Sequence, residues 1–75
     1  MSVEKLERVM WRIRSLHPNE TIIARKDLKM SIMHEIGTDP RTWYQNLRSL
    51  KALGWIKTHG PHYVRLTGND LTGDA

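Results

Sequence analysis

Apolar residues recur at spacings of three and four at Val3, Leu6, Val9 with Met10, Ile13 and Leu16. That period places them on one face of a helix over residues 3–16. Ser2 is a good N-cap, and Glu4 and Glu7 sit near the helix start, where the dipole favours negative charge. Lys5, Arg8, Arg12 and Arg14 mostly fall off the apolar stripe. His17-Pro18-Asn19 ends the helix, because proline disfavours helical geometry in the residue before it. Residues 21–24 are Thr-Ile-Ile-Ala, a brief β-branched run that predicts a strand. Leu28, Ile32 and Ile36, with Met33 beside them, predict a second helix over about 26–36. No residue at its start is a convincing N-cap, and Gly37 stands where a left-handed C-cap would end it.

The third periodic segment has the clearest limits. Asp39 is placed to cap it, Pro40 takes the first helical position, and Gly54 follows the last turn. Trp43, Leu47, Leu50 and Leu53 form its apolar stripe, which predicts a helix over 40–53. Only Gly37, Thr38 and Asp39 separate it from the second helix, the length of the turn in a helix-turn-helix. The pattern then changes to period two. Ile56 and Thr58 alternate with Lys57, and Val64 and Leu66 alternate with Tyr63 and Arg65. Residues 55–59 and 62–66 therefore predict a hairpin around Gly60-Pro61, where glycine supplies an unusual φ and proline fixes the next. Residues 67–75 are polar and aperiodic and predict a flexible tail. No internal repeat or low-complexity tract is present. The chain thus reads as one small α+β domain over 1–66 followed by that tail.

Composition narrows the class. With 75 residues the domain buries a modest share of its surface and is marginally stable on its own. The chain has no cysteine, which excludes disulfides, thiolate ligands and thiol nucleophiles and fits a reducing compartment. Nothing near the start resembles a signal peptide, and no apolar run approaches the roughly 20 residues of a membrane span. A cytoplasmic location and no membrane partner are the expectation. The basic helix 3–16 offers no clear membrane face either, since its cations alternate with Glu4 and Glu7.

Charge is unevenly spread. Residues 1–66 hold all 12 basic side chains and six of the eight acidic ones, and Asp70 and Asp74 lie beyond. From residue 39 to 66, Arg41, Arg48, Lys51, Lys57 and Arg65 face Asp39 alone. That imbalance fits a polyanion partner or an ordinary solubilising surface.

The order helix, short strand, helix, tight turn, helix, hairpin resembles the winged helix-turn-helix over residues 3–66. Its most specific part is Gly37-Thr38-Asp39-Pro40-Arg41-Thr42-Trp43-Tyr44-Gln45-Asn46-Leu47-Arg48-Ser49-Leu50, followed by Leu53-Gly54-Trp55-Ile56. Small winged-helix transcription regulators look like this, with a turn glycine, an early threonine, two leucines three apart, then glycine and an apolar strand. The compact, nearly bare domain resembles regulators of archaea and of their viruses and plasmids. Two features depart from the family. Trp43 is bulkier than the usual β-branched residue after the threonine, and the hairpin tip is only Gly60-Pro61.

The resemblance implies a double-stranded DNA-binding protein, with helix 40–53 in the major groove and hairpin 55–66 on the backbone. Arg41, Thr42, Tyr44, Gln45 and Arg48 would then face DNA, and Lys57, His59, His62 and Arg65 would line the wing. Arg25 and Lys26, with Lys29, lie at the helix-two end that approaches phosphates in the family. The residue chemistry agrees as far as it goes. Arg41, Gln45 and Arg48 share a helix face, and arginine pairs bidentately with guanine as glutamine does with adenine. The alternative for each is a solvated face on a structural helix. Tyr44 is undecided between a phosphate contact and the edge of the core. Trp43 and Trp55 read as core. Trp11 sits beside the first helix's stripe, where it either widens the core or lies in a homodimer interface, and the tail is another route to a dimer.

His34, His59 and His62 match no zinc spacing, so no metal or cofactor is expected. No phosphate loop, nucleophile motif, partnered carboxylate pair or small-molecule site is evident, so the chain is not read as an enzyme. A protein-interaction winged helix in a replication or transcription assembly is the alternative, because one fold hosts many functions.

Overall fold

The computed structural model describes residues 3–72. Its elements run α1 (Val3–Leu16), β1 (Ile22–Ala24), α2 (Arg25–Glu35), α3 (Pro40–Ala52), β2 (Ile56–His59), β3 (Tyr63–Leu66) and α4 (Asn69–Thr72). The fold is α+β, with helices laid on a three-stranded antiparallel sheet of order β1-β3-β2. The hairpin register pairs Ile56 with Leu66 and His59 with Tyr63. The short strand β1 adds to the other edge of β3, pairing Ile22 with Arg65 and Ala24 with Tyr63.

One core joins all these elements except α4. Leu6, Val9, Met10 and Ile13 of α1 meet Leu28 and Ile32 of α2, and Trp43, Leu47 and Leu50 of α3 close over them. The inward side of the sheet adds Ile23, Ile56, Val64 and Leu66, and Trp55 packs half-buried at the margin. The apolar stripes are narrower than the sequence pattern implies. Val3 and Leu16 lie at the two ends of α1, beyond the reach of α2, and are exposed. Leu53 is also exposed, because α3 stops at Ala52 and Leu53 is already its C-cap. Asn46 is buried in its place, completing the row Trp43, Asn46, Leu47, Leu50 at helical spacing. Its amide is satisfied locally, since Nδ2 donates to the Thr42 carbonyl at 2.7 Å.

The helix ends obey different rules. His17 N–H closes α1 on Ile13 O at 2.9 Å, just before Pro18. The N-cap expected from Ser2 lies outside the described residues. α2 begins at Arg25, one residue earlier than expected, and follows β1 without a linker. Its N-cap is Ala24, which offers no side-chain acceptor. Gly37 is not left-handed, contrary to the expectation. The last turn of α2 closes instead through the N–H groups of Ile36 and Gly37, both directed at Ile32 O, at 2.8 and 3.4 Å. Asp39 caps α3 as expected, its carboxylate accepting the Arg41 N–H at 2.8 Å. At the far end Gly54 takes φ 74°. Gly54 N–H donates to Lys51 O at 3.0 Å and Trp55 N–H to Leu50 O at 3.1 Å, the two bonds of a Schellman turn.

Two expectations about the C-terminal part need correction. The hairpin loop is Gly60-Pro61-His62, so His62 belongs to the turn and not to the strand. Gly60 carries φ 73° as the turn requires. The segment beyond residue 66 is not a featureless tail as far as it is described, because α4 forms there. Thr67 Oγ1 donates to Gly54 O, and Asn69 Nδ2 donates to the same carbonyl at 2.8 Å. Asp70 accepts both Nε and Nη2 of Arg14, at 2.9 and 2.8 Å, with its own side chain 6% exposed. The hydrogen bond to Asp70, ahead of the simple charge attraction, pushes the Arg14 guanidinium further above its already high pKa, against the opposing effect of burial. These contacts reach back 15 and 56 residues, which explains why local periodicity carried no sign of them. Residues 73–75 of the expected tail lie outside the described residues. Among the described residues no helix is long and apolar enough to cross a membrane.

Candidate nucleic-acid interface

α3 divides its residues cleanly. Burial of Trp43, Asn46, Leu47 and Leu50 leaves Arg41, Tyr44, Gln45 and Arg48 exposed along the opposite face. Arg41, Gln45 and Arg48 lie at i, i+4 and i+7 and so form one row of donors. Thr42 is half-buried at the edge of that row, its carbonyl already used by Asn46. Tyr44, undecided from sequence, is on the surface at 60% exposure. Its ring leans on Trp43, with centroids 6.3 Å apart at 46°. Lys51 is exposed three residues beyond Arg48 and extends the row by a turn, a position that the sequence pattern does not single out.

A groove of about 530 Å³ opens beside this helix. The start of α2, the first half of α3 and the hairpin tip converge there, bringing Arg25, Lys26, Lys29, Trp43, His62 and Tyr63 together. The tip is held in place by the Arg25 N–H, which donates to His62 O at 2.9 Å. The groove is also where α2 presents amide groups that no side chain caps, and such an end attracts anions. α3 offers less at its own start, since Asp39 already occupies it. Asp27, the acidic residue in the first turn of α2, does not line the groove and lies instead 3.8 Å from His17 Nε2.

The hairpin residues separate. Lys57 and Arg65 are cross-strand partners, so their side chains share the outer face of the sheet, with Ile22 on the far side of Arg65. They line a separate depression with Leu66 and Thr67. His59 is exposed opposite Tyr63, on the strand away from β1. Of the four hairpin residues expected to act as one set, the groove gathers His62 alone. Tyr63 is the groove residue that the sequence pattern does not single out, because strand alternation does not reveal where two elements part; Trp43, read as core, is buried and only borders the groove.

Ion pairing is concentrated elsewhere. Arg12 pairs with Glu35 at 3.4 Å and Arg14 with Asp70 at 2.8 Å. His17 lies near Glu20 and Asp27, and His34 near Glu35. Among the described residues no carboxylate pairs with Arg25, Lys26, Lys29, Arg41, Arg48, Lys57 or Arg65. Two of the four α1 cations, Arg12 and Arg14, are thus paired, whereas Lys5 and Arg8 of α1 and the cations of α3, the α2 start and the hairpin have no carboxylate partner among those residues. Nor do three His, Cys, Asp or Glu side chains gather among the described residues as a metal site would require. Comparison with family models, with curated proteins and with solved structures finds no match for this chain.

Proposed function

We propose that this chain is a winged helix-turn-helix protein that binds double-stranded DNA and regulates transcription. α2 and α3 are the helix-turn-helix, and β2 and β3 are the wing. In this reading α3 lies in the major groove with Arg41, Gln45 and Arg48 toward base edges. Arg25, Lys26 and Lys29, with His62, each meet a backbone phosphate around the groove at the start of α2, and Lys57 and Arg65 meet backbone along the wing. Regulation is steric, through occupation of DNA that polymerase would otherwise use. The observation that carries the reading is the convergence of unpaired charge: the start of α2, α3 and the hairpin tip border one groove, and among the described residues their cations lack a carboxylate partner.

Such binding releases counterions, so affinity falls steeply with salt, with a log–log slope of about −0.9 per phosphate contacted. Five cations on phosphates (Arg25, Lys26, Lys29, Lys57 and Arg65) correspond to a slope of about −4 to −5 in a fluorescence-anisotropy titration against duplex DNA. A titration that stays flat from low to moderate salt ends the DNA reading.

A further inference from the structure

We propose that a second copy of this chain packs on the outer face of α1, with Trp11 as the central contact. α1 buries Leu6, Val9, Met10 and Ile13, and its opposite face carries Glu4, Arg8, Trp11 and Ser15 in one row. Trp11 is 76% exposed, the largest apolar side chain standing free among the described residues. It forms a ridge between two grooves. One, of about 330 Å³, runs between α1 and α4, with Met10 in its floor and Leu71, 68% exposed, on its far wall. The other, of about 350 Å³, lies toward Ser15, Leu16 and Glu35. A ridge flanked by grooves fits a copy of itself.

Charge selects the same partner. A two-fold interface sets each patch against an identical one, so the patch must be self-complementary. In antiparallel packing about an axis between Arg8 and Trp11, the Arg8 guanidinium of each copy comes over the Trp11 ring of the other. That is the cation–π arrangement in which arginine and tryptophan are well matched. Glu4 of each copy then lies level with Ser15 of the other, so no like charges oppose each other along the central row. Tryptophan and arginine are also the residues that most often anchor interfaces. The face does not include the uncompensated cations of α2, α3 and the hairpin, so pairing leaves that surface open. The strip is about 21 Å long, from 14 residues at 1.5 Å each. It falls at the small end of specific interfaces, below about 1,200 Å² in total, which makes this a weak dimer.

Sedimentation equilibrium without DNA tests the inference separately from the DNA reading. Wild type is expected to shift from monomer toward dimer as concentration rises to about 1 mM, a range that captures even weak pairing. Trp11→Ala, which removes the ring without offering Arg8 of the other copy a carboxylate, weakens association at least about tenfold, and so does Leu71→Glu on the other groove wall. Met30→Glu, the same charge change at an exposed apolar site of α2, leaves it intact. All three positions are exposed, and circular dichroism of each variant checks that its helices persist. A wild type that stays monomeric overturns the inference. So does a Trp11→Ala that pairs as well as wild type, or a Met30→Glu that loses pairing as Leu71→Glu does.

Discussion

Trp43 and Arg48 lie on the same helix, yet one is 6% exposed and the other is fully on the surface. Spacing alone decides this, since 43, 46, 47 and 50 share the side that faces the core, and 41, 45 and 48 share the side that does not. The donor row is therefore legible in the order of residues alone. Asn46 is not, because a polar residue on a buried row reads as an error in the stripe until its bond to Thr42 O is seen. If Arg48 reads a base, Arg48→Ala costs about 1–3 kcal/mol on the preferred site and relaxes sequence preference there. Selection of bound sites from random DNA, run on both proteins, measures this. Equal loss on every sequence assigns Arg48 to phosphate alone.

At the scale of elements, the ends of helices carry more information than their middles. Asp39, Pro40 and Gly54 mark α3 because each meets a local demand: an acceptor for free amides, a preset φ, and a left-handed turn. Gly37 looks equivalent to Gly54 along the chain and is not. A Cβ at Gly37 meets nothing within 4 Å, whereas one at Gly54 would lie 3.3 Å from Asn69 Nδ2 in a backbone that disfavours it. Gly54→Ala accordingly costs about 1–2 kcal/mol from φ alone. That corresponds to a melting-temperature drop of about 5–15 °C in a domain of this size. Gly37→Ala leaves the melting temperature unchanged or raises it slightly, because it only restricts the unfolded chain. Thermal unfolding of the two variants side by side checks both, and equal effects would refute the distinction.

Across the whole molecule, segments far apart in the chain decide what local pattern cannot. Asp70 joins Arg14 across 56 residues and ties α4 to α1 beside Trp11. The carboxylate is buried but Arg14 keeps a quarter of its side chain in water, which limits the gain from the pair. Asp70→Asn therefore costs about 1–2 kcal/mol, read as a lower urea midpoint at unchanged m-value. No change in midpoint would mean that the Arg14–Asp70 pair adds nothing to the fold. The sorting of the hairpin cations is non-local in the same way. The Arg25–His62 backbone bond brings the tip to α2, and the strand register keeps Lys57 and Arg65 on the same outer face as Tyr63 but further from the tip, in a separate depression.

By itself the sequence determined the three main helices, the hairpin, the caps of α3 and the division of α3 into a core side and a donor side. Each of these follows from spacing and backbone chemistry within a few residues, where the period of 3.6 or 2 acts directly. Only the tertiary structure decided that β1 pairs with β3, that residues beyond Leu66 form α4, and that Arg25, Lys26, Lys29 and His62 share one groove. Those outcomes depend on which distant surfaces bury each other, and a side chain's neighbours in space are not written in its neighbours along the chain.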